Sequence, residues 1–92
     1  MHTCDEHNKL QKELRTAVTD FNITQSFNNF LNIIKKLLAL ANYISHLNKE
    51  ERNNDNISDE FYLEARMVAQ GEFECISIDT IIEHSIILCE FS

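Results

Sequence analysis

The residues best suited to metal binding lie at the start of the chain, where Cys4 stands between His2 and His7. Cys4 and His7 would lie one turn apart on a helix, and thiolate and imidazole are both ligands that suit zinc. A structural zinc site needs a second pair of ligands, and the rest of the chain offers only Cys75 alone and His84 with a cysteine five residues later. We therefore expect neither a metal nor another cofactor, and interpret these first residues as a frayed, polar N-terminus.

Four acidic residues form two pairs with the spacing of a helix face, Glu60 with Glu64 and Asp79 with Glu83. Paired carboxylates in a cleft can act as general acid and base, but exposed surface acids at this spacing are far more common. Neighbouring serine and histidine residues also occur, yet sequence neighbours point in different directions on a helix. One glycine and no proline leave few residues for irregular active-site loops. The sequence therefore predicts a protein that is not an enzyme.

The size of the chain limits it to one compact domain. It has 92 residues and a mass of 10.8 kDa, so we expect a single domain over residues 1–92. Its most apolar stretch is interrupted by Lys35 and Lys36, whereas a membrane span needs about 18–20 uninterrupted apolar residues. The first residues are acidic where a secretory signal would be basic, and an odd number of cysteines, three, suits a reducing compartment. These features predict a cytoplasmic protein.

Apolar periodicity predicts two helices in the first half of the chain, over residues 5–21 and 25–48. The second of these can be capped by Asn22 or Thr24. Its apolar residues cover an arc of about 240° when successive residues are placed at about 100°. One packing partner cannot cover so wide an arc, so either several helices of the chain or a second copy of it must do so. We therefore expect this long helix to be the central element.

A segment without apolar side chains separates these helices from the rest of the chain. Residues 48–56 are all polar or charged, and we predict a polar surface loop over 48–57. A third helix over 58–70 is then predicted, with Ser58 as its N-cap and Gly71 placed to terminate it.

The last segment allows two interpretations. Its isoleucine-rich runs could form a C-terminal β-hairpin over 72–91, which would make the fold α+β. On a helix over 77–91, however, the apolar residues occupy one arc opposite Asp79, Glu83 and Glu90, and a strand would leave apolar groups on both faces. We prefer the helix. The predicted fold is therefore all-α, a compact four-helix bundle with a long central second helix.

Charge is distributed unevenly along the chain. The net charge is −7, which disfavours direct binding to nucleic acid or to an anionic membrane. Residues 1–49 contain six basic and four acidic residues, whereas residues 50–92 contain two basic and eleven acidic residues. No base follows Arg66, and no local partner is visible for Glu60 or Glu64. The second half is therefore predicted to present negative charge, although such charge can also serve solubility alone.

A negative surface on a rigid helical body favours a partner with a basic surface, because complementary potentials speed encounter. A nuclease, a toxin or a nucleic-acid-binding protein would be such a partner, and inhibitors, immunity proteins, antitoxins and DNA mimics are small acidic proteins of this kind. The alternative is a homodimeric assembly or regulatory protein that associates through the apolar second helix. The residues predicted to bind the partner are Glu50, Glu51, Asp55, Asp59, Glu60, Tyr62 and Glu64.

Overall fold

The chain folds into helices only, over the part that the structure describes. A computed structural model describes residues 3–71 and 78–90, and no strand occurs among them. The helices are α1 (Thr3–Ile23), α2 (Phe27–Ser45), α3 (Lys49–Asn54), α4 (Asp59–Ala69) and α5 (Ile78–Glu90). The all-α prediction is confirmed, with five helices in these ranges where four were expected. No helix in these ranges is both long and apolar enough to cross a membrane.

α1 presents an apolar stripe to the core, as its periodicity predicts. Leu14, Ala17 and Phe21 are buried on this face, and they are three and four residues apart, which places them on one side of a helix. α1 has 21 residues and α2 has 19, so the second helix is not the longest.

α2 packs against α1, α4 and α5, which together cover much of its wide apolar arc. Its N-cap is Ser26, whose side chain accepts a hydrogen bond from the backbone N–H of Asn29 at 3.1 Å. The prediction of Asn22 or Thr24 as the cap is wrong, because α1 continues to Ile23 and α2 begins only at Phe27. α2 ends at Ser45 rather than at position 48, because Asn48 instead begins the next helix. The buried residues of α2 are Ile33, Leu37, Leu40, Ala41 and Ile44.

The segment predicted as a polar surface loop over 48–57 contains α3. The side chain of Asn48 accepts from the N–H of Glu51 at 2.8 Å, and the carboxylate of Glu51 accepts from the N–H of Asn48 at 3.0 Å. This reciprocal capping satisfies two backbone donors and allows a six-residue helix to form without apolar side chains. The segment then turns at Asn56, which has φ 59°, and buries Ile57.

α4 begins and ends as its sequence predicts. The Ser58 side chain accepts from the N–H of Phe61 at 3.1 Å, and Gly71 adopts a positive φ of 71° just beyond the last turn. Phe61, Ala65 and Val68 form the buried face. The helix over 58–70 is thus confirmed to within one residue at each end.

α5 settles the choice between helix and hairpin for residues 78–90. These residues are helical, so the second strand of the hairpin alternative is wrong, while residues 72–77, where its first strand would begin, lie outside the described ranges. Ile81, Ser85 and Leu88 are buried at the spacing of one helix face. The Ser85 hydroxyl is satisfied inside the helix, donating to the carbonyl of Ile81 at 2.8 Å.

Candidate functional site

Asp55, one of the seven residues predicted to bind a partner, is buried instead. It is the C-cap residue of α3 and only 7% exposed. Its Oδ2 atom lies 4.0 Å from Nδ1 of His7 on α1. A buried carboxylate beside a buried imidazole cannot contribute to an exposed acidic surface, so the prediction for Asp55 is wrong.

His7 is part of the core rather than of a frayed end. It is 2% exposed, and its ring centroid lies 6.1 Å from that of Tyr43 and 6.3 Å from that of Phe61. Burial lowers the pKa of His7 from its usual value of 6.5, and the negative charge of Asp55 opposes this by raising it. The sequence carried a signal for this burial, because His7, Gln11 and Leu14 have the spacing of one helix face.

Gln11 also faces the core and connects α1 to the end of α5. Its Nε2 donates to the carbonyl oxygens of Leu88 at 3.2 Å and Cys89 at 3.5 Å. Arg15 donates to the same Cys89 carbonyl at 2.8 Å, and the buried Cys89 thiol donates to the carbonyl of Gln11 at 3.8 Å. These bonds satisfy carbonyl groups that the last turn of a helix leaves without an intrahelical partner. They hold α5 against α1 and serve the fold.

The metal hypothesis placed Cys4 and His7 together as ligands. Among the residues that the structure describes, no three His, Cys, Asp or Glu side chains are grouped so that they could hold a metal ion. The side chain of Cys4 lies outside the described part, as does Cys75. His7 faces Asp55, whereas the other described cysteine, Cys89, is buried near the end of α5.

Glu64 has a partner that its own helix does not supply. Its Oε1 atom lies 2.5 Å from Nδ1 of His84 on α5, and the two side chains are only 21% and 15% exposed. The expectation that Glu64 is unmatched is therefore wrong. The pair links α4 to α5, and it makes Glu64 unsuitable as a contact for a partner protein.

Glu51 is likewise used within the chain. It is half-buried, and its carboxylate is the acceptor that caps the N-terminus of α3. Three of the six predicted carboxylates thus serve the fold rather than an exposed surface.

The other three predicted carboxylates remain available. Glu50 on α3 and Asp59 and Glu60 on α4 are all exposed. The ion pairs among the described residues join His7 to Asp55, Lys36 to Glu13 and His84 to Glu64, so none involves these three acids. Each lies in the first turn of its helix, Glu50 in α3 and Asp59 and Glu60 in α4.

Tyr62, the one aromatic residue among the seven predicted to bind a partner, lies against two arginines. The guanidinium carbon of Arg52 lies 3.9 Å from the Tyr62 ring centroid, and that of Arg66 lies 5.7 Å from it. Arg52 is fixed further by its Nη1, which donates to the carbonyl of Leu47 at 2.8 Å. Arg66 lies four residues after Tyr62, a spacing that places both on one face of α4, whereas no sequence pattern indicates the contact with Arg52, which comes from α3.

Among the described residues, large apolar side chains are exposed near the start of α2, on α4 and, at Ile86, on α5. Phe27, at the start of α2, is 71% exposed, with Ile23 before it and Leu31 one turn later also exposed. On the outer face of α4, Leu63 is 59% exposed. Exposed apolar groups next to polar ones are typical of surfaces that contact other proteins.

Comparisons of the chain with protein-family models, with curated proteins and with solved structures give no match. We therefore infer function from the side chains of this chain and their geometry.

Proposed function

We propose that this protein is a cytoplasmic, non-enzymatic binding module, in which α1, α4 and α5 form a four-helix bundle with α2, and that it occupies a basic surface on another macromolecule and blocks or regulates it. The partner is a nuclease, a toxin or a nucleic-acid-binding protein. The observation that carries this proposal is the set of exposed acids on the α3–α4 segment, Glu50, Asp59 and Glu60, with no basic nitrogen within 4.0 Å in the described part of the chain.

Exposed carboxylates that form no ion pair within the protein act mainly on the rate at which it associates with a charged partner. Their field attracts a positive surface over roughly the Debye length, about 8 Å at physiological salt, and suppresses approach by negative surfaces. The net charge of −7 acts in the same direction. We therefore expect capture of the partner to weaken steeply as salt is raised.

The internal acids support this surface indirectly. Asp55 lies between α3 and α4 and faces α1, whereas Glu64 joins α4 to α5. Both contacts fix the segment that carries the exposed acids, and a pre-ordered surface loses less conformational entropy on binding.

The proposal is tested by reversing two of the exposed acids, Asp59→Lys and Glu60→Lys, in one variant. The control, Asp5→Lys with Asp20→Lys, changes the net charge equally at exposed sites on α1. Tagged proteins are used to capture partners from host lysate at low and high salt, followed by mass spectrometry. We expect a basic protein retained by the wild type and the control at low salt but lost by the α4 variant. Equal capture by the α4 variant would contradict the proposal.

A second candidate function is self-association through α2 and the end of α1. It is favoured by the exposure of Ile23, Phe27 and Leu31 at the end of α1 and the start of α2. A second copy of the chain that packs against these side chains would bury them. Light scattering at high micromolar concentration distinguishes the two functions. A dimer that becomes monomeric with Phe27→Ser would support this candidate, and a wild-type monomer would eliminate it.

A further inference from the structure

We propose that Arg52, Tyr62 and Arg66 form a recognition site for a carboxylate side chain of the protein partner. We call these three residues the arginine–tyrosine cluster. The inference rests on the proposed function and adds one feature to the partner's surface, a carboxylate. The partner would present an aspartate or glutamate surrounded by basic residues, rather than basic residues alone.

The cluster holds two positive charges beside one aromatic ring. Arg52 lies at 3.9 Å and Arg66 at 5.7 Å from the Tyr62 ring centroid, both within the range of a cation–π contact. Such an arrangement leaves the N–H edges of the guanidinium groups as donors for an oxygen ligand.

Neither arginine is neutralised within the described part of the chain. No carboxylate oxygen lies within 4.0 Å of Arg52 or Arg66 there, although the chain has fifteen acidic residues and only eight Lys and Arg. The Arg52 Nη1 bond to the Leu47 carbonyl uses one of its five donors and fixes the group in place. A fixed guanidinium with free donors suits a carboxylate, which it can bind through two parallel hydrogen bonds.

The outer face of α4 combines the arginine–tyrosine cluster with exposed apolar surface, as binding hot spots do. Asp59, Leu63 and Arg66 are exposed and spaced as one helix face, with Tyr62 beside them. Tyrosine and arginine dominate the energetics of protein interfaces, and the 59% exposure of Leu63 leaves apolar surface to be buried next to them.

The acids near the arginine–tyrosine cluster favour a single carboxylate flanked by basic residues over a polyanion as the ligand. Asp59 and Glu60 begin the same helix and are exposed, so a run of phosphates on the cluster would also meet their negative charge. A single carboxylate flanked by lysines would pair with the arginines and the acids together. Charge complementarity on α4 therefore favours a protein partner.

Two peptides on the full-length protein test the inference. They are acetyl-Lys-Lys-Glu-Lys-Lys-amide and the same peptide with glutamine in place of glutamate, each labelled for fluorescence anisotropy. We expect the glutamate peptide to bind about fivefold more tightly, as for a charge-assisted hydrogen bond at a partly exposed site. This difference should vanish in R52Q/R66Q and persist in K9Q/K12Q, a control with the same change of charge at exposed sites on α1.

Equal binding of the two peptides to the wild type, or an unchanged difference in R52Q/R66Q, would overturn the inference. Binding of a phosphoserine version alone would overturn the carboxylate assignment. If R52Q/R66Q does not fold, R66Q, which keeps the Arg52 bond to Leu47, replaces it. The proposed function fails separately, when D59K/E60K binds both peptides as tightly as the wild type does.

Discussion

His7 of α1 and Asp55 of the α3–α4 connection meet in the interior of the protein, with Nδ1 4.0 Å from Oδ2 and both residues at least nine-tenths buried. The contact joins the first turns of the chain to a segment whose composition is that of a surface loop. Tyr43 of α2 and Phe61 of α4 also lie close to the imidazole, with ring centroids 6.1 Å and 6.3 Å from it. Four elements therefore converge on one titratable pair.

The first prediction concerns pH. Because burial lowers the pKa of His7 below 6.5 in the folded state, the unfolded chain binds this proton more tightly than the folded chain does. Stability is then fully present above pH 6.5 and declines as pH falls from 6.5 through the folded pKa. Urea unfolding midpoints measured from about pH 8 to about pH 5 should show this decline. His7→Gln should flatten it.

The second prediction concerns the charge of Asp55. Asp55→Asn keeps the shape of the side chain but removes the negative charge that raises the pKa of His7. The pKa of His7 should therefore fall further, which NMR titration of its imidazole would measure. We also expect a loss of about 1–3 kcal/mol in the free energy of unfolding, the range for disturbing a buried polar contact. An unaltered His7 titration would show that the two groups are not electrostatically coupled.

The third prediction concerns the contact between α4 and α5. Glu64→Gln replaces the carboxyl group that contacts His84, and we expect a loss of about 1 kcal/mol in the free energy of unfolding, the upper part of the range for a pair that solvent still reaches. Glu60→Gln is the matched control, since Glu60 is exposed one turn earlier on the same helix. Chemical denaturation of both variants gives the comparison. Equal effects would mean that the Glu64–His84 contact adds nothing to stability.

The fourth prediction concerns the capping of α3. Asn48→Ala removes the acceptor for the N–H of Glu51 and should cost about 1 kcal/mol, as for other N-cap residues. Amide hydrogen exchange should accelerate within α3 more than in α2. Asn53→Ala, at an exposed position inside α3, serves as control, because alanine there loses no cap. Protection of α3 that survives Asn48→Ala would contradict the role of the capping box.

The sequence by itself determined the bounds of α4 to within one residue, and it favoured the all-α class with a helix rather than a hairpin over residues 78–90. These features depend on interactions between residues that are close in sequence. Apolar residues recur at helical spacing, the Ser58 side chain accepts a hydrogen bond from a free N–H group in the first turn of α4, and Gly71 adopts the positive φ that ends this helix. Each is set by residues a few positions apart. His7 has the helical spacing of the buried Leu14, but its polar side chain near the start of the chain led to the prediction of a frayed end.

Only the tertiary structure decided which of the predicted acids are exposed and which contact other helices. Asp55 and Glu64 belong to the same acidic part of the sequence as Asp59 and Glu60. The first two nevertheless face histidines on other helices. His84 is 20 residues from Glu64 in sequence, and His7 is farther still from Asp55. An ion pair between helices depends on how the apolar faces pack, and this packing is a collective property of the whole core. Sequence spacing on one helix carries no information about it.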